Sequence, residues 1–172
     1  MANSSLLSTI PENTSILQPT KFTFIFPNLP FARYFCQSVS IPGVSTTEIT
    51  VPTPFANTFR HGERLNFEIF SINAIIDEDL RVWEETYNWL RALTKPTTYA
   101  EYAKKYNVIS DIYHDAVLTI NTNANLPNIR IKFKNCHPTS LGAVQFNTSE
   151  NAETIPTADI NFRYDYFEFD RL

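Results

Sequence analysis

Ile129-Arg130-Ile131-Lys132-Phe133-Lys134 alternates apolar and basic residues without a break. A repeat of two places Ile129, Ile131 and Phe133 on one side of an extended strand and the three basic residues on the other, one face buried and one wet. Such a face belongs to an antiparallel sheet with a core on one side only. Upstream, Asn123–Asn128 reads as a hairpin loop, rich in Asn and holding Pro127, and Val117–Thr122 as the partner strand. Downstream, Leu141–Phe146 reads as a short strand, and a polar loop from Asn147 to Pro156 leads to a last strand. There Ala158, Ile160, Phe162, Tyr164 and Tyr166 share a face.

The N-terminal half repeats the pattern. Phe22, Phe24 and Phe26 alternate with Thr23 and Ile25 up to Pro27; Asn28-Leu29-Pro30 makes a turn, and Ala32–Ser40 reads as a second strand. Pro42-Gly43 forces a bend. Ser45–Val51 is rich in β-branched residues, but Pro52-Thr53-Pro54 interrupts it, and two prolines so close do not fit a central strand. Ser45–Arg64 is therefore expected as an edge strand plus a long Pro-stiffened excursion, of the kind that serves function or wraps a neighbour. Leu65, Phe67 and Ile69 resume the alternation, and Ile72, Ala74 and Ile76 continue it on the other parity, which suggests a bulge.

Between the two β regions the period turns helical. Asp77 or Asp79 can cap a helix over about Asp79–Leu93, with Leu80, Trp83, Tyr87 and Leu90 as its apolar stripe and Glu84 and Glu85 on the far side. Pro96 ends it, and Tyr99–Tyr106 reads as a short second helix. Four or five strands, one central helix and three or four further strands imply a mainly β (α+β) fold. Its architecture is an antiparallel barrel or sandwich with one flanking α-helix, because parallel pairing would need a crossover for every pair. Residues 1–20, rich in Ser, Thr, Asn and Pro, form an N-terminal arm, and residues 21–172 a single β domain.

Composition narrows the function. The 172 residues include 14 Phe and 8 Tyr, which suit half-buried pleated positions, but only 3 Gly, too few for a Gly-rich phosphate loop. A net charge of −4 argues against tight binding of nucleic acid. The N-terminus lacks a basic leader with an apolar core, and no run approaches the roughly 18 apolar residues needed to cross a bilayer. A soluble protein made inside the cell is expected, with no membrane partner. Cys36 and Cys136 are expected as two buried thiols, a single long-range disulfide being the alternative.

The candidate chemistry is sparse. Cys136-His137, with His61 and His114, is the best metal or nucleophile grouping, but no two of these share a helix face or a Cys-x-x-Cys turn. Asp77-Glu78-Asp79 sits where acidic residues cap a helix. Glu68, Asp159 and Asp165 lie in strands without pairing, and Arg130, Lys132 and Lys134 suit a solvated face or salt bridges. No catalytic residue, metal or cofactor is expected, and the chain reads as a non-enzyme.

Several segments together resemble the tail-tube proteins of contractile-tailed bacteriophages. They are the Phe-rich first strand, Phe35-Cys36-Gln37-Ser38-Val39-Ser40 with Ile41-Pro42-Gly43, and Glu48-Ile49-Thr50-Val51-Pro52-Thr53-Pro54-Phe55. His61-Gly62-Glu63-Arg64-Leu65-Asn66-Phe67-Glu68 and the helix from Asp77 to Leu90 follow, and Asn135-Cys136-His137-Pro138-Thr139-Ser140-Leu141 matches a turn before the last two strands. The resemblance spans about residues 20–172. It implies a virion protein that forms hexameric rings stacked into the inner tail tube, through which DNA passes without specific binding during ejection. Sheath, baseplate or neck proteins would be partners. It further implies that the excursion Thr46–Arg64 reaches a neighbouring subunit, with Glu48, Ile49, Val51, Pro52, Pro54, Phe55, Phe59 and Arg60 as contacts. The same fold serves as tube terminator or baseplate initiator. Outside the resemblance, a carbohydrate-binding β-sandwich stacking sugars on Trp89, Tyr99, Tyr102 or Tyr106 is a further alternative, and a virion hydrolase using Glu68 or Asp79 a weaker one.

Overall fold

The computed structural model describes residues 14–94, 112–149 and 154–172. The alternating stretch lies in the longest strand, β7 (Pro127–Leu141), which belongs to two sheets at once. Its first half lies between β6 (His114–Asn121) and β9 (Tyr166–Arg171), and its second half pairs with β8 (Thr157–Arg163), all antiparallel. Beyond β6 lies β1 (Phe22–Ile25); beyond β8 lie β5 (Phe70–Ile75) and then β2 (Cys36–Val39). Two four-stranded layers, β1-β6-β7-β9 and β7-β8-β5-β2, thus share one strand and pack face to face.

The strand passes between layers by a bulge. His114 faces Cys136 while Ala116 faces Phe133, so β7 carries one extra residue there. Asn135 takes a positive φ of 56°, a conformation that Asn tolerates better than most residues. Its N–H donates to Asp115 Oδ1 at 3.2 Å, and its side-chain amide donates to Asp165 Oδ2. The extra residue also flips parity. Ile131 and Phe133 point inward before the bulge, Cys136 and Pro138 after it. Residues 135–141, expected as a turn, are therefore strand, and the strand expected over Leu141–Phe146 is absent, since β7 ends at Leu141. Pro138 fits because beyond Cys136 this half of β7 is a sheet edge.

The core is aromatic. Phe70 of β5 stacks on Phe133 of β7 with centroids 4.3 Å apart, joining the two layers. Phe24 leans on Phe70, and Phe26 lies between Trp89 and Phe162 at 5.4 and 5.2 Å. Each of these side chains is at most 2% exposed, and burial of one such ring is worth about 1.5–3 kcal/mol.

The helix α2 (Arg81–Thr94) closes one end of this core. Asp77 caps it by accepting the Arg81 N–H at 2.9 Å, whereas Asp79 pairs with the Arg81 guanidinium. Its buried face is Val82, Thr86, Trp89 and Ala92, not the expected Leu80, Trp83, Tyr87 and Leu90. Thr86 can enter the core because its hydroxyl donates to the Val82 carbonyl one turn back. Trp83 and Tyr87 stack on each other along the flank, planes 9° apart.

Three more expectations are corrected. Ala32–Ser40 begins as a short helix, α1 (Ala32–Phe35), before β2. The change of parity between Ile69 and Ile72 is a boundary between strands of different sheets, not a bulge within one. The last strand is two, β8 and β9, and Tyr166 falls on the second, away from the face of Ala158, Ile160 and Phe162. Residues 1–13 of the arm, Pro96 and the helix expected over Tyr99–Tyr106 lie outside the described residues.

Candidate assembly interface

Ser45–Arg64 is not an edge strand with an irregular excursion. It lies in a two-stranded hairpin of its own, β3 (Val44–Pro52) and β4 (Asn57–Phe67), separate from the two layers. β-branched residues give β3 its extended preference, and Pro52 at its end and Pro54 restrict the four-residue tip, Thr53 to Ala56, between the strands. At the tip the Thr53 N–H donates to the Ala56 carbonyl and the Ala56 N–H returns to Thr53 Oγ1 at 3.2 Å. From Val44 to Asn66 every residue but Gly62 is exposed.

The eight contact residues that the resemblance implies all lie here, on different faces. Ile49 pairs with Arg60 and Val51 with Thr58, which puts Ile49, Val51 and Arg60 on one face. Glu48, Pro52 and Phe59 occupy the other, with His61 opposite Glu48. Pro54 and Phe55 form the tip, where Phe55 is 100% exposed. Phe59 and Ile49 are also open, at 64% and 53%. Isolated two-stranded hairpins are marginal in water, and exposed apolar strands invite pairing with other chains.

Midway along, the register shifts between Thr46 and Glu48, opposite Gly62. A Cβ on Gly62 would come within 2.0 Å of Thr47 Oγ1 and 2.4 Å of the Thr47 carbonyl oxygen. Only glycine lets the strands approach this closely, and the irregularity sets the angle of the outer half.

The root is anchored by residues that sequence reading did not single out for this role. Phe67 packs edge-on against Tyr164 and Phe167 at 5.8 and 5.6 Å. Arg163 Nη1 donates to the Phe67 carbonyl at 3.2 Å, and the Glu68 N–H donates to the Gly43 carbonyl at 3.0 Å. Beside this anchor lies a depression of about 740 Å³, lined by Leu65, Phe67, Glu68, Ile69, Arg163 and Tyr164 among others. The Tyr164 hydroxyl is buried with no hydrogen-bond partner, and burial pushes its phenol up to about 12.

The other candidate groups are scattered. His61 sits on the hairpin, His114 against Trp89 and His137 against Tyr113. Cys36 and Cys136 are free thiols on β2 and β7, both pushed up to about 12 by burial. Among the described residues no three His, Cys, Asp or Glu side chains gather as a metal site would need. No described helix is long and apolar enough to cross a membrane. Asp159 accepts from the Asn73 amide, Glu68 lies at the hairpin root, and Asp79 is paired with Arg81. Of the basic stripe, Lys132 pairs with Asp170 and Lys134 with Asp115, so two of its three charges are in salt bridges. Trp89, considered above as a sugar-stacking ring, is 1% exposed and belongs to the core. Tyr99, Tyr102 and Tyr106 lie outside the described residues.

Solved structures share this architecture over nearly the whole chain. A chain of the anti-feeding prophage cap, described as the tube terminating cap, superposes with a TM-score of 0.66 at 12% identity, covering 98% of this chain and 99% of its own. One from the anti-feeding prophage baseplate gives 0.63 at 13% identity over 92% and 98%. A chain of the PVC sheath–tube complex, an extracellular contractile injection system in its extended state, gives 0.61 at 13% identity over 100% and 99%. At such identities the likeness is one of fold. No curated protein matches the sequence. The family model for phage tail tube proteins matches residues 28–170, most of the chain, and the protein therefore belongs to the phage tail tube protein family.

Proposed function

We propose that the chain is a self-assembling subunit of a tail tube, copies of it closing into hexameric rings that stack into a conduit for the phage genome. The observation that carries this reading is the β3–β4 hairpin, which extends from Val44 to Phe67 and holds Ile49, Val51, Phe55 and Phe59 open to solvent. Exposed strands of this length, with several apolar side chains open among polar ones, need a cover, and a neighbouring copy supplies one at every position of a ring. Glu48, Ile49, Val51, Pro52, Pro54, Phe55, Phe59 and Arg60 are then contacts between subunits. The acidic balance of −4 per chain, multiplied around a ring, disfavours adhesion of DNA to the conduit. Sheath, baseplate and neck proteins are the further partners of this role, and the virion is its place.

A second reading is a tube-end subunit, terminator or initiator. The fold match to a tube-terminating cap favours it, together with a hairpin whose open apolar side chains can cover an end as well as a joint. Negative-stain imaging of the purified chain at increasing concentration separates the two. Tubes support the main tube role, isolated rings the end role, and a chain that stays monomeric with and without other tail proteins rejects both.

A further inference from the structure

We propose that copies of this chain stack head to tail, the acidic end of one body against the basic end of the next. The inference rests on the self-assembly reading and adds the two surfaces that join one ring to another. β7 runs the length of the body, and its two ends differ in charge. At its start lie the β6–β7 loop, the beginning of β1 and the end of β9. There the Asn121 N–H donates to the Lys21 carbonyl, Thr119 faces Arg130, and Ile129 faces Arg171. Lys21, Arg130, Lys132 and Arg171 outnumber the carboxylates of Glu168 and Asp170 beside them. At the other end β7 stops at Leu141, next to the start of β8 and the end of β5. The turn into α2 lies over this end: the Ile76 N–H donates to the Pro156 carbonyl, and the Trp83 indole to the Gly142 carbonyl at 3.1 Å. Here Asp77, Glu78, Asp79 and Glu84 outnumber Arg81, which lies over the Phe31 ring, and the neighbouring Arg33.

Within one body the two ends cannot neutralise each other. The 15 residues of β7, at about 3.3 Å each, hold them several Debye lengths apart even across the bend. A second copy in the same orientation brings opposite signs together, and the contact repeats without closing, which builds a stack. Each end also opens aliphatic side chains among its charges. Leu126 and Leu17, beside the β6–β7 loop, are 63% and 60% exposed, and Ile155 and Leu80 at the acidic end 60% and 36%. The hairpin remains free for the ring itself, because it springs from the middle of the body: Arg163 binds the Phe67 carbonyl and faces His137 of β7. Exposed ion pairs are individually weak and screened by salt, but a ring repeats them at every subunit.

The test is tube length, by negative stain and sedimentation, for the parent chain between about 50 mM and about 1 M salt and for three variants at low salt. One variant carries Glu78→Lys with Glu84→Lys, one Lys21→Glu with Arg171→Glu, and one all four changes. None of these side chains is buried, so the circular dichroism of the dilute chain is expected to stay unchanged. We expect salt to break tubes into rings. Either reversal alone should shorten tubes about tenfold with rings intact, and the fourfold variant should regain the parent's length to within about twofold. Tubes equally long at both salt concentrations, single reversals that leave tubes intact, or a fourfold variant that stays as rings would each overturn the proposal while self-assembly stands. A parent chain giving rings but no tubes overturns it in favour of the tube-end reading. Neither rings nor tubes overturns the self-assembly reading with it.

Discussion

Single residues decide where this chain's stability and its assembly separate. Phe133 is 0% exposed and touches Phe70, Tyr164 and Phe167, so it ties both layers together. Phe133→Ala is expected to cost about 3–5 kcal/mol by leaving a cavity between the sheets. In urea unfolding the midpoint should fall with little change in slope; a loss below 1 kcal/mol would mean the layers do not depend on this ring. Gly62 behaves in the opposite way. Gly62→Val drives a side chain into Thr47, 2.0 Å from where its Cβ would sit, yet touches nothing in the core. The unfolding midpoint should stay put while assembly, followed by sedimentation, is lost. Thr86 shows why pattern reading chose the wrong face of α2. A threonine counts as polar in a hydrophobic stripe, and only the bond from its hydroxyl to the Val82 carbonyl makes it a core residue. That bond cannot be read from spacing.

Half-buried strands are legible in the sequence, whereas a strand exposed on both faces is legible only where β-branched residues mark it, as in β3. β1, β5 and the first half of β7 alternate because one face meets Phe24, Phe70 or Phe133. β4 has both faces in solvent, so no alternation marks it before Leu65 and Phe67, and its outer half reads as an excursion stiffened by prolines. The second half of β7 is hidden from the sequence because the bulge at Asn135 reverses its parity, which mimics an ending. Its ion pairs give a test by pH. Burial raises Asp115, but the Lys134 ammonium and the Asn135 N–H outweigh it and hold the carboxyl below the usual range. Asp170 is lowered by the hydrogen bond from Lys132. Carboxyls lowered on folding contribute fully above the unfolded value of about 3.9 and lose that contribution as pH falls through their lower folded values. The β6–β7–β9 layer should thus weaken below about pH 4 and be insensitive between pH 5 and 8. Asp115→Asn with Asp170→Asn is expected to flatten the acid limb of a melting-temperature profile; an unchanged limb would place the acid-labile groups elsewhere. On the alkaline side Lys134, raised by its bond to Asp115, contributes below its unfolded value of about 10.4 and loses that contribution only above it.

For the whole molecule, the division of labour is between a body that folds on its own aromatic core and a hairpin that the core does not cover. Pro52 and Pro54 bear on the second alone. Both flank or lie within the tip, both are exposed, and neither belongs to the buried core. A proline whose backbone is already fitted limits the free conformations of its segment, and replacing one forfeits about 0.4–1 kcal/mol of that restriction. If the hairpin docks as a preformed strap, the loss falls on association, because the freer tip must be ordered when it binds. Pro54→Ala should then raise the half-assembly concentration about two- to fivefold, following the 1.4 kcal/mol per decade of affinity. The urea midpoint of the monomer should not move. The same substitution with unchanged assembly would show that the tip is ordered by other means or stays outside the joint. A lowered monomer midpoint would show instead that the hairpin takes part in the stability of the body.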